Sequence, residues 1–304
     1  MNLTVVVALA ANALVALAKT FAALFTGSAS MVAESAHSWA DTGNQVLLLI
    51  ADRRSRRRPD AAHPLGYGRE AYVWSMFAAL GLFVAGAAVS ITHGVQELAH
   101  PSPASNFTVA YLVLAAAFVF EGISFLQAVR QTRHEARRAR RSLLEHALET
   151  SDPTLRAVFA EDSAALIGIV IAFAGVLAHD LTGSPVPDAV GSIVVGVLLG
   201  VVAVVLIDRN RRYLVGVEVS PTTREEMFQH LSSLPGVASV NYLHMEFVGP
   251  RAVYLVAGVD LSGDEAESSV AARLRELERR LEQSPLVLEA VLTVSRAEDH
   301  APGR

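Results

Sequence analysis

Three ionisable residues, Glu34, His37 and Asp41, follow one another at spacings of three and four inside the stretch from 31 to 51. At about 100° per residue, a helix puts them within about 60° of one another on one face. Asn44 continues the stripe. An imidazole and a carboxylate at i and i+4 are the geometry that gives two ligands to one metal ion. A buried hydrogen-bonded cluster that glues helices together is the alternative, and the mixed ligand types favour metal. One helix cannot complete a four-coordinate site, so a partner helix must supply more. Glu161 and Asp162 meet that need, as the only charges between Val158 and Ile171. Their rival reading is a carboxylate pair near a helix N-terminus, favoured by the helix dipole. It competes for Glu161 more than for Asp162.

The elements that must hold these groups are apolar. Of 304 residues, 52% are hydrophobic and only 18% charged, with a mean hydropathy of +0.38, where a soluble domain carries about 25% charged residues. The shortfall is uneven. Residues 1–208 hold 30 of the 55 Asp, Glu, Lys and Arg, and residues 209–304 hold 25. A transmembrane domain over 1–208 and a water-soluble domain over 209–304 are therefore expected, and a one-domain soluble enzyme is excluded.

Six stretches are long enough to cross a ~30 Å hydrocarbon core as helices, at 3–26, 31–51, 70–98, 107–129, 155–179 and 186–208. Inside such a span each charge costs about 2.5–3.5 kcal/mol on insertion scales, so each needs a reason. Lys19 and Glu121 either pair with each other or line a path through the membrane, a structural ion pair being the preferred reading, and His93, Glu97, His100 and His179 are read as residues near the outer span ends. Arginine crowds the loops after the second, fourth and sixth spans, from Arg53, Arg130 and Arg209 onward, while the loops after the first, third and fifth have no Lys or Arg. That alternation predicts an integral membrane protein with both termini in the cytoplasm. The expected location is the bacterial cytoplasmic (inner) membrane, with an organellar one left open. The first span begins too close to Met1, without a basic leader, for a cleaved targeting peptide. On the sixth span Gly196 and Gly200 form a small-xxx-small pair suited to close helix approach.

Composition excludes further classes. There is no cysteine, hence no disulfide or thiolate metal site, and Lys19, the single lysine, follows no Gly-rich turn that could make a P-loop. The net charge of -5 divides as -2 and -3 between the two segments, so nucleic acid is not an expected partner. No HExxH occurs, which removes the defining motif of an intramembrane metalloprotease.

After Arg212 the hydrophobic period changes. Ser220-Pro221 opens a helix to about Leu234, Val237–Val248 and Ala252–Leu261 read as strands hinged at Gly249-Pro250, and a second helix carries Val270, Leu274, Leu277 and Leu281. Leu286–Val294 supplies a last strand. The order αββαβ predicts a small ferredoxin-like sheet with both helices on one face.

The run SMVAESAHSWADTGN from Ser30, the loop HPLGYGR from His63 and the segment DPTLRAVFAEDSAALIG from Asp152 resemble the cation diffusion facilitator family. The likeness covers nearly the whole chain. It implies a homodimeric divalent-cation/proton antiporter in lipid, with six spans, a cytoplasmic αββαβ domain, zinc as transported substrate and protons as counter-ions. His37 and Asp41 fall on the family's span-two motif, and Asp162 on the Asp of its span-five HxxxD. Val158 stands where that motif has His, so Glu161, Glu34 or water must complete the site. The Glu161-Asp162 pair resembles a subgroup that includes mitochondrial zinc exporters. A second family site would use Asp60 and His63, but Tyr67 replaces its next His. The His-rich cluster of some family soluble domains has no counterpart, since His230 and His244 are isolated; that domain is expected to dimerise rather than sense zinc.

Imidazole with carboxylates suits zinc, whereas manganese and magnesium favour oxygen-rich shells. Manganese, iron, cobalt and cadmium efflux remain alternatives, as does a non-transporting membrane sensor or scaffold. Ligands must lose protons to bind metal, so protons from the far side would help expel it. Moving Zn²⁺ outward against 100 mV costs about 4.6 kcal/mol, and one returning proton halves that.

Overall fold

The computed structural model describes residues 3–101, 105–138, 142–264 and 266–296, with side chains from residue 9 onward except at 138. It forms two compact units, Met1–Asp52 with Val73–Arg211 and Arg53–Tyr72 with Arg212–Arg304.

The first unit is helical. Its helices are α1 (Leu3–Thr26), α2 (Ala29–Ser55), α3 (Glu70–Gly81), α4 (Val89–Ala99), α5 (Phe107–Arg138), α6 (Leu143–Glu149), α7 (Pro153–Thr182) and α8 (Val186–Val215). A π-helical stretch, Leu82–Ala88, joins α3 to α4 into one continuous span. Helices α5 and α8 outrun their apolar stretches through arginine-rich segments, 130–138 and 209–215, arginine being a good helix former. Asp152 starts α7, its carboxylate accepting from the backbone N–H groups of Thr154 and Leu155, with Pro153 at the first turn. Gly183, in the left-handed region at φ 66°, stops it.

Five of the described helical segments are long and apolar enough to cross a membrane: Leu9–Thr26, Glu70–Ala99, Phe107–Arg137, Pro153–Thr182 and Val186–Val215. The other expected span, α2, has the length, at 27 residues, but its polar stripe lowers its apolarity. That stripe is turned inward: Glu34, His37 and Asn44 are buried together with Met31, Ala33, Ala40 and Leu48. Large apolar side chains such as Leu24, Phe120, Leu181 and Val201 stand outward instead, the pattern of helices whose outer solvent is lipid.

Two apolar clusters hold the bundle. Ala22 and Ala23 of α1, Met31 of α2, Leu114 of α5 and Ile169 of α7 form one; Ala33, Ala40, Leu82, Ala164 and Leu199 belong to the other. Helix α2 joins both. The expected close approach at Gly196 is found, since a Cβ there would lie 2.9 Å from the Ile91 nitrogen and 3.0 Å from the Ala87 oxygen, but Gly200 has ordinary room.

In the second unit the order is α9 (Pro221–Ser232), β1 (Val237–Gly249), β2 (Ala252–Leu261), α10 (Glu267–Leu281) and β3 (Val287–Val294), as the sequence pattern predicts. Central β2 pairs antiparallel with β1 and parallel with β3, with Met245 opposite Leu255 and Leu255 opposite Ala290. Alternate residues Leu255, Ala257 and Val259 share one core with Leu231 of α9 and Leu277 and Leu281 of α10, so both helices pack on the same sheet face. The β1–β2 turn falls at Pro250-Arg251, where Arg251 takes φ 56°.

Residues 53–72, the end of α2, the arginine-rich loop and the first residues of α3, group with this sheet. Glycine at 68 permits the approach, because a Cβ would meet the Val248 oxygen at 2.6 Å and the Gly249 Cα at 2.8 Å. Arg69 then pairs with Glu246, and Tyr72 stacks on Tyr213 with ring centres 5.0 Å apart.

Candidate metal site

Helix α2 carries His37 and Asp41 one turn apart, with Nδ1 3.4 Å from the Asp41 Oδ1. His37 is wholly buried, and neither ring nitrogen makes a hydrogen bond; nor does Asp41 Oδ1. Buried polar atoms without hydrogen bonds cost roughly 1–3 kcal/mol each, and three of them stand together on this face, two of them in contact with each other.

Helix α7 faces this pair with Glu161 and Asp162. Asn44, next on the α2 stripe, donates through Nδ2 to Glu161 Oε1 (3.1 Å), and Ser124 of α5 donates to Asp162 Oδ2 (2.8 Å). Glu161, Asp162 and Glu121 all lie within electrostatic reach of Asp41. Glu161 is 6% exposed and more than two turns inside α7, whereas a helix dipole acts within the first turn; the dipole reading of this carboxylate fails on position. The four groups are side by side rather than converged: among the described residues no three His, Asp or Glu side chains are gathered closely enough to hold an ion. The hydrogen bonds from Asn44 and Ser124 hold the α7 carboxylates in that parted arrangement.

Glu34 is placed differently. Lys19 Nζ donates to its Oε2 at 2.9 Å and stands 4.0 Å from Glu121, both Lys19 and Glu34 being wholly buried. The lysine therefore takes Glu34 as its main partner, not Glu121 alone as the sequence suggests; hydropathy shows which charges are buried but not which helices are neighbours. Oε1 of Glu34 makes no hydrogen bond, and it sits against Gly168 of α7, where a Cβ would come within 2.7 Å of it.

The start of α2 is held by a residue of α8 that the sequence does not single out. Asp188, 1% exposed on α8, accepts hydrogen bonds from Ser28 Oγ (2.9 Å), the Ala29 N–H (2.8 Å) and the Ser30 N–H (3.1 Å), and its carbonyl accepts from Ser30 Oγ (2.8 Å). It caps the start of the helix that carries His37 and Asp41. No periodic signal marks such a cap, because donor and acceptor lie 158–160 positions apart. His179 and Glu97, expected near the span ends, are buried at 6% and 7% exposure; His179 Nδ1 lies 3.9 Å from Asp188.

In the loop after α2, the carboxylate of Asp60 is already engaged. Its Oδ1 accepts from the backbone N–H groups of Ala62 and His63, and its Oδ2 from the Tyr67 hydroxyl at 2.6 Å. Tyr67 thus occupies the acid that a metal at Asp60 and His63 would need, while Arg57 lies over its ring at 4.5 Å. The Tyr67 hydrogen bond, followed by that of the His63 N–H, holds the Asp60 carboxyl at about 2 rather than 3.8. Since the folded value is depressed, this loop's stabilisation is complete above pH 3.8 and is lost as pH falls toward 2. Tyr67→Phe should move the Asp60 titration up toward 3.8 in a carboxylate-resolved NMR experiment, and an unmoved midpoint would contradict the lock.

A family model described as the cation efflux transmembrane domain matches residues 5–215. The chain is 35% identical over 295 residues to a Xenopus laevis protein named proton-coupled zinc antiporter SLC30A9, mitochondrial, covering 97% of this chain and 51% of that protein. Its human counterpart is 36% identical over 259 residues, 85% of this chain and 46% of the relative. Metal tolerance protein C4 of Arabidopsis thaliana is 38% identical over 244 residues, 80% and 53% of the two chains. The chain spans about half the length of these curated relatives.

Proposed function

The chain belongs to the cation efflux family, and on that footing we propose that it exports divalent metal, zinc foremost, in exchange for protons. One observation carries this reading: His37 and Asp41 share one helix face, in contact with each other and with both His37 nitrogens and the Asp41 Oδ1 making no hydrogen bond, opposite the Glu161–Asp162 pair. The proposed ligands are His37, Asp41, Glu161 and Asp162, one imidazole and three carboxylates, a set that suits zinc. Binding requires Glu161 to turn from Asn44 and Asp162 from Ser124, so that α2 and α7 close on the ion. Protons returning to the same groups compete with the metal and favour its release. Names of relatives that include a proton-coupled zinc antiporter support both the ion and the exchange.

In this reading α2, the second span in chain order, brings the five apolar spans to six, its polar face sheltered by its neighbours, and both chain ends lie on the arginine-rich, cytoplasmic side of a bacterial inner membrane. Residues 209–304 form a cytoplasmic domain through which two copies associate. No enzymatic step is assigned.

Flux in proteoliposomes tests the proposal directly: zinc should move when, and in the direction that, an opposing pH gradient is imposed, with matching proton movement. Zinc flux indifferent to the gradient would exclude antiport. His37→Asp, which exchanges imidazole for oxygen, should raise manganese transport relative to zinc in the same vesicles; an unchanged ratio would place selectivity elsewhere.

A further inference from the structure

Lys19 is the chain's only lysine and is wholly buried in α1, a helix with no other charge. Burying an ammonium among apolar helices costs several kcal/mol, which close carboxylates must offset. Glu34 does most of this, at 2.9 Å from Nζ, with Glu121 at 4.0 Å on the other side. The bond to Glu34 has a consequence for the neighbouring ion site. Glu34 precedes His37 by three residues, so its carboxylate stands about 4.5 Å along the same face of α2. Its second oxygen, Oε1, is buried, makes no hydrogen bond, and faces Gly168 of α7, seven residues beyond Glu161. A carboxylate in that place, with a bare oxygen between the two ligand-bearing helices, would reach toward a dication at His37.

We infer that Lys19 is a tethered cation that denies Glu34 to the transported ion, holding the site to four protein ligands and keeping its occupancy short. The inference rests on the metal-export reading above. Its physical logic is that of any carrier: a site must bind well enough to load and weakly enough to empty. A fourth carboxylate would add charge attraction for Zn²⁺ and a further oxygen donor, and the ion would then leave slowly. With an ammonium fixed on Glu34, an incoming ion must displace a charge-assisted hydrogen bond to recruit that carboxylate, and the ammonium itself repels the dication.

Lys19→Met removes the tether with little change in length. In proteoliposomes it should lower the KM for zinc by about tenfold, which corresponds to ~1.4 kcal/mol, and lower kcat by a similar factor. Adding Glu34→Gln in the Lys19→Met background should return both parameters toward the wild type, because an amide is a poor zinc donor. A purely structural lysine predicts otherwise: kcat or yield falls, KM does not drop, and the second substitution restores nothing. Should Lys19→Met not fold, Lys19→Gln keeps a hydrogen-bond donor to Glu34 without the charge and is expected to shift KM and kcat in the same direction. Wild-type flux with an unshifted or raised KM in a folded Lys19 variant overturns this inference alone. Wild-type vesicles that move no zinc overturn the export reading and this inference with it.

Discussion

Asp41→Ala should abolish zinc-driven proton exchange, by at least about a hundredfold in flux, while leaving a folded membrane protein. The carboxylate is the α2 partner of His37, and its Oδ1 makes no hydrogen bond, so its loss removes a proposed ligand and, at that atom, only the 3.4 Å contact to His37 Nδ1. Losing even an outer-shell partner of a metal costs about 10- to 100-fold in affinity or activity, and a direct ligand should cost at least as much. The α7 side of the site gives a matched test. Glu161→Gln should weaken transport strongly, because an amide donates poorly to zinc, although it can still pair with Asn44. Val158 lies three residues before Glu161, about 60° around the helix and ~4.5 Å along it, so Val158→His added to Glu161→Gln should recover part of the flux. Near-normal transport by Asp41→Ala would remove the α2 pair from the site, and near-normal transport by Glu161→Gln would return the fourth position to Glu34 or water.

The largest effect on stability is expected at the other end of the same helix. Asp188→Ala leaves Ser28 Oγ and the N–H groups of Ala29 and Ser30 without their acceptor inside a buried contact. Each stranded donor costs about 1–3 kcal/mol, and the negative charge at the start of α2 also complements the helix dipole. A total of roughly 3 kcal/mol or more is expected, read as a lowered midpoint in thermal unfolding of the purified protein. Ser28→Ala should cost less, about 1–2 kcal/mol, since it loses the hydroxyl's bonds to Asp188 and from the Met31 N–H while the two backbone caps on Asp188 persist. If Asp188→Ala proved no worse than Ser28→Ala, the cap would not anchor α2.

The sequence by itself determined which stretches are apolar, where the arginines interrupt them and where the period changes to αββαβ, because these depend on local residue type and spacing. Strand Ala252–Leu261 is found where alternation predicts it, and the helix opening at Ser220-Pro221 follows its capping residues. The shared face of His37, Asp41 and Asn44 was equally legible, since three and four residues of α-helix fix an angle whatever surrounds them. Contacts between helices were not. That Lys19 binds Glu34 rather than Glu121 alone, that Asn44 holds Glu161, that Ser124 holds Asp162 and that Asp188 caps α2 all depend on which helices become neighbours. The same is true of residues 53–72, whose Gly68-Arg69 step is needed because a sheet edge with Glu246 lies against it. Periodicity tells a helix which face to bury; only packing of the whole chain decides what that face will meet.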